Sequence, residues 1–187
     1  MTYSLIEFAA KLAIASVEME IAKREVIAAA CAILAEESKS LIGVPKLEWP
    51  PLADVTVARK DGVNSPLLET GAMRDSIGWN SDAHEGYVGS NDPLLRYHEF
   101  GSDKTGNAWG SRNPPRPVLG LALVKKREEI YAMAGRAAMA VMLGGAAYAA
   151  EMAELVHLIR EFGRLSREIG SSASDLLTPN DNHKDKR

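Results

Sequence analysis

Apolar and polar positions change their rhythm halfway through the first forty residues. Between Glu7 and Glu25 charged side chains return every few positions, as on a helix with one wet face, whereas "VIAAACAILA" (Val26 to Ala35) is apolar all round. Ser4 followed by Glu7 is a capping-box pair and Tyr3 is placed to staple onto Phe8, so a helix is predicted to start at Ser4. It should run to about Ile42, with Gly43 as a left-handed stop and Pro45 just beyond. Two readings of the all-apolar stretch stand side by side: small alanines that tolerate water, or a surface buried between subunits.

Past Gly43, "GVPKLEWPPLAD" reads as a stiff, proline-rich connector carrying Trp49. "DVTVARKDG" alternates Val55 and Val57 with polar neighbours and closes on Asp61-Gly62, which predicts a strand; a second is predicted over Glu85 to Ser90. Between them Thr70 is expected to cap a short helix in which Met73 and Ile77 share a face. Gly78 would end that helix and Trp79 open another strand. Asn91 or Asp92 as cap, Pro93 at the first helical position and Gly101 at the end frame a further short helix.

From Val118 onward Leu119, Leu123, Ile130, Met133, Ala134 and Ala137 recur near helical spacing, with a charged face at Lys125 to Glu129. After Gly144-Gly145 the period resumes with Met152, Leu155, Ile159 and Phe162, as a third helix or a kinked continuation. The predicted class is α+β: a small antiparallel sheet packed by short helices, with a long N-terminal helix and long C-terminal helices. Its parts are the alanine-rich helix at 1–43, a sheet and short-helix core at 44–120 containing a long loop at 102–114, a helical region at 121–170, and a polar tail at 171–187 expected to be mobile.

Composition narrows the function. At 187 residues and 46% hydrophobic content the chain can pack one domain, and a net charge of -3 disfavours non-specific nucleic-acid binding. A lone cysteine, Cys31, makes neither an internal disulfide nor a cysteine zinc site, and on its helix it should be buried as a small apolar residue. The opening "MTYSLIEFAAK" lacks the basic and apolar regions of a secretion signal, so an intracellular chain is expected. The apolar run from Ala137 to Ala150 is shorter than the roughly 18 residues that would suggest a membrane span.

The densest chemistry lies in "LLRYHEFGSDKTGNAWGSRNPPRPVLG", Leu94 to Gly120. His98-Glu99 suggests a metal or acid-base pair, yet a helical zinc motif needs a second histidine one turn on, and position 102 is serine. Neither a G-x-S-x-G elbow nor a phosphate loop occurs. Arg112 and Arg116, with Lys104 and Trp109, form a local basic and aromatic group, opposed as a nucleic-acid patch by Asp103 and the acidic total; Lys104, Trp109 and Arg112 are candidate interface residues instead. No catalytic, cofactor or metal set emerges.

"LLETGAMRDSI", then "YVGS", then "LLRYHEFGS", then "PPRPVLG", in this order, resemble the virion-morphogenesis and tail-completion (neck) family of tailed bacteriophages. The resemblance spans about Leu67 to Leu123 and departs from the family pattern at Leu94-Leu95-Arg96 and at Val118. It implies that Thr70, Gly71, Met73, Ser76 and Ile77 shape the first helical turn and that Gly89 and Ser90 end a strand. It also implies that Tyr97, Glu99, Phe100 and Gly101 pack the second short helix, and that Arg116 and Pro117 set the entry to the long helix.

The function expected from the resemblance is structural and non-catalytic: tail completion or head-tail joining as a homo-oligomeric ring in the virion, assembled in the host cytoplasm. Partners would be copies of the chain and other neck or tail proteins such as the connector and tail terminator. DNA would pass through the ring without specific recognition, and neither membrane nor cofactor is called for. The loop from Ser102 to Asn113 would be mobile in the free protein and ordered in the assembly. The alternatives are a small metal-dependent hydrolase using His98, Glu99 and His84, and a membrane-active protein using Ala137 to Ala150.

Overall fold

The computed structural model describes residues 4–44, 49–60, 65–102 and 114–176, with side chains as far as Arg164. Helix α1 spans Leu5–Leu41, and its start is the predicted capping box: Glu7 N donates to Ser4 Oγ at 3.3 Å while Ser4 N donates to Glu7 Oε2 at 2.8 Å. Gly43, at φ +89°, turns the chain away, and a Cβ there would press on Leu68. The proposed Tyr3 staple, Pro45 and the Asp61-Gly62 turn lie outside the described residues.

After the connector come α2 (Asp54–Arg59), α3 (Ala72–Asp75), strands β1 (Ile77–Ser81) and β2 (Gly86–Ser90), and α4 (Pro93–Phe100). Two long helices, α5 (Leu119–Leu143) and α6 (Gly145–Leu176), complete the described chain, separated by Gly144 at φ +67°. Gly145 is also left-handed at φ +58°, so α6 is a third helix rather than a continuation. It reaches Leu176, into the stretch expected to be a polar tail. The architecture is α+β, with one antiparallel hairpin pairing Ile77 with Ser90 and Ser81 with Gly86.

The strand predicted across "DVTVARKDG" is helix α2. Its Val55 is 81% exposed, so the alternation marked no buried face. The two strands of the hairpin pair with each other, and a third segment with no ladder to join closes its hydrogen bonds locally as a helical turn. The strand expected to open at Trp79 begins earlier, at Ile77, so Gly78 lies inside β1 opposite Gly89 instead of ending a helix.

Two apolar clusters hold the fold. In one, the C-terminal end of α1 (Ala35, Leu41) packs with Met73, Ile77, Leu95 and Val118, joining α3, the hairpin, α4 and the start of α5. In the other, Ala29 and Ile33 of α1 meet Met133 and Ala137 of α5 and Leu155 of α6. Lys125 pairs with Glu37 at 3.1 Å and Arg136 with Glu151 at 3.2 Å, so α5 runs back along α1 and α6 returns along both.

This bundle answers the question posed by "VIAAACAILA". Every residue from Val26 to Ala35 is buried or partly buried, and the covering surfaces are α5, α6 and the hairpin of the same chain. The notion that it is buried between subunits is therefore corrected. Gly86 lets β2 close on this stretch, since a Cβ there would collide with Cys31 Sγ. Leu123, expected on the inner face of α5, is 52% exposed; Ala122 takes the buried place.

What the bundle leaves bare is the first half of α1. From Leu5 to Ile21 no residue is fully buried, and Leu5, Ile6, Leu12, Ile14 and Val17 are each more than half exposed. At 1.5 Å per residue this overhang extends roughly 25 Å. The charges of Glu18 and Glu25 bear on Tyr148, which puts the α5–α6 turn beside the point where the overhang leaves the bundle.

Candidate assembly surface

The motif residues converge on one structural unit. Gly71 adopts φ +85°, a left-handed conformation that a side chain would strain, and Thr70 Oγ1 accepts from Ala72 N at 3.3 Å in the first turn of α3. Ser76 at the end of α3 donates to Met73 O at 2.7 Å and shares a 2.6 Å hydroxyl contact with Ser90 at the end of β2. Ser90 Oγ also accepts from Asp92 N at 2.9 Å, so the "SI" and "VGS" segments are joined through a pair of serines. Met73 and Ile77 fill the core beneath them.

Helix α4 follows, with Asp92 Oδ1 accepting from Leu94 N at 2.9 Å and Pro93 in the first turn. Its partner in the core is Leu95. Tyr97 and Phe100, expected to pack this helix, are 53% and 77% exposed; side chains a few positions from Leu95 fall on the outer face of an eight-residue helix. Gly101 ends the helix at φ 72°.

Glu99 has a different role from packing α4. Its Oε2 accepts from Val118 N at 2.7 Å and Leu119 N at 3.1 Å, and its Oε1 from Gly120 N at 2.8 Å, so one carboxylate caps the N-terminus of α5. Negative charge there is favoured by the helix dipole as well as by the three donors. A Cβ at Gly120 would stand 3.2 Å from Glu99 Oε1, which accounts for a glycine at that turn.

Arg116 ties the same region to the connector. Its backbone N donates to His98 O at 2.6 Å and its guanidinium to Pro50 O at 3.0 Å, with Pro51 O at 3.4 Å. Prolines lack an N–H, but their carbonyls still accept, and the buried guanidinium uses two of them. Pro117 is partly buried next to Val118, which is fully buried at the mouth of α5. Trp49 Nε1 and Arg116 Nε are buried without an acceptor among the described residues.

His98 lines a pocket of about 550 Å³ with Lys60, Thr70, Met73, Asp92 and Arg116. Burial and the Arg116 charge hold its imidazole below the usual histidine range, with Asp92 pulling the other way. Glu99, its presumed chemical partner in the hydrolase alternative, spends both oxygens on backbone N–H groups. His84 sits in the exposed β1–β2 turn, where its N donates to Asp82 Oδ1 at 2.7 Å. Among the described residues no three of His, Cys, Asp and Glu are placed to share a metal ion.

The surface on the other side of α4 is an open groove of about 470 Å³ lined by Gly89, Ser90, Pro93, Leu95, Phe100 and Leu119. Lys104, Trp109 and Arg112, together with the rest of the loop at 103–113, lie outside the described residues. No described helix is long and apolar enough to cross a membrane. One feature that patterning missed is Lys60, whose Nζ donates to Ser65 O at 2.9 Å and Leu68 O at 2.6 Å and so stabilises a turn in which Leu67 takes φ +63°. A lysine that serves backbone carbonyls several residues away has no signature in sequence. Comparison with family models, curated proteins and solved structures returned no match.

Proposed function

We propose that this chain is a non-catalytic structural protein of a tailed phage or prophage, acting in tail completion or head-tail joining as a homo-oligomeric ring, with other neck or tail proteins such as the connector and tail terminator as neighbours. The observation that carries the reading is the overhang of α1. A helix half that leaves eight large apolar side chains more than a third exposed is a surface suited to another molecule. The motif residues support it from the other side: Thr70, Gly71, Ser76, Ser90, Glu99 and Arg116 fix turns, caps and a connector through their backbone conformations and hydrogen bonds.

The test is genetic and visual. Removal of the protein from a producing strain is expected to yield tailless heads together with separate finished tails in negative-stain images, and the purified protein is expected to run as an oligomer. Normal tailed particles without it, or a purified monomer that turns over a substrate until His98→Gln abolishes the activity, would overturn the proposal.

A further inference from the structure

Eight large apolar side chains between Leu5 and Ile21 are exposed by 38% to 85%. At on the order of 100 Å² each they offer roughly 800 Å² per copy, which is the share a stable interface takes from each partner. The question is what covers them.

Their angular distribution is informative. Residues advance about 100° each around a helix, and Glu7, Lys11, Glu18 and Glu25 all fall on one narrow strip. Phe8, Leu12, Ile6, Val17 and Ile21 spread over the remaining arc of roughly 240°, interrupted by Ser16 and Glu20 and, at its C-terminal end, by Lys23 and Arg24. An apolar stripe serving a single packed neighbour is nearer 100° wide. One helix laid alongside would leave much of this arc in water, so the overhang is shaped for two neighbours at once.

The chemistry of the neighbour follows from charge and size. From Leu5 to Glu25 there are four glutamates against Lys11, Lys23 and Arg24, a near-neutral mixture that sets up no repulsion between copies. A helix lying on an anionic membrane would instead line its polar face with Lys and Arg. The overhang of another copy has the matching length, the matching apolar arc and no charge conflict.

We infer that the α1 overhangs of three or more copies pack together as a helical bundle through the apolar arc, while the Glu7, Lys11, Glu18 and Glu25 strip lies outside the shared core, its Glu18 and Glu25 turned toward Tyr148 of the same chain. This rests on the homo-oligomeric part of the proposed function and names the surface that produces it.

The experiment compares the full-length protein with the Leu12→Glu/Val17→Glu double variant by light-scattering mass and thermal unfolding. Leu12 and Val17 are 55% and 60% exposed and glutamate is a good helix former, so the variant is expected to fold and unfold cooperatively, with a Tm below the wild type's only by the stabilisation that association supplies. The wild type should have at least three times the 20.2 kDa chain mass and the variant should fall to one chain mass. A wild-type dimer would overturn the inference, as would an oligomer that the double variant leaves intact; in both cases homo-oligomerisation itself survives. A strictly monomeric wild type would overturn the inference and the ring together. Capture of the wild type by anionic vesicles without self-association would assign the overhang to a membrane surface and also defeat the inference.

Discussion

Glu99 shows how little a single residue's type reveals about its work. Next to His98 it suggests acid-base chemistry, but its carboxylate receives three backbone N–H groups at the start of α5. Glu99→Ala should leave those donors without their charged acceptor and cost about 1–3 kcal/mol in urea unfolding. Glu99→Gln, which keeps one acceptor oxygen, should lose less. Nothing local ties Glu99 to a helix that begins some twenty positions later, so this cap is invisible to pattern reading. His98 has a consequence of its own. Its folded-state pKa is depressed by burial and by Arg116, so the unfolded chain takes up the proton first as pH falls. The contribution to stability is complete above the ordinary histidine range and declines on acidification through it. His98→Gln is therefore expected to show a smaller drop in Tm between about pH 7.5 and about pH 5.5 than the wild type.

Elements were legible where their ends carry their own chemistry. The Ser4–Glu7 box, Asp92 with Pro93, and the left-handed Gly43, Gly101 and Gly144 act within one turn of backbone, and each falls where the sequence places it. The α2 segment was misread because a period of two over a few residues does not create a strand unless another strand is there to pair with it. Between elements the closest fit is β2 on α1, where Gly86 faces Cys31. Gly86→Ala should force the hairpin outward and cost about 1–3 kcal/mol, with part of that restored in the Gly86→Ala/Cys31→Ala double variant. Purely additive losses in a denaturation cycle would show that the two positions do not interact.

At the scale of the whole molecule, the bundle and the overhang differ in how they are held. Helix without tertiary packing opens at little cost, so amides from about residue 8 to Ile21 should exchange quickly in dilute protein while those near Ala29 and Ile33 stay protected. Protection of the overhang should rise with concentration in step with solution mass; a mass increase with no added protection there would locate the interface elsewhere. The sequence alone determined the start of α1, the frame of α4, the strand near "EGYVGS" and the α+β class, because caps, turns and apolar periods are set by neighbours along the chain. Only the tertiary structure decided which half of α1 is covered. The sequence left two readings of Val26 to Ala35, water-tolerant alanines or a surface between subunits, and gave Glu7 to Glu25 one wet face. Val26 to Ala35 are covered within the chain and Leu5 to Ile21 are left largely exposed, because burial depends on which helices return alongside, and burial along α1 is concentrated from Ala22 onward.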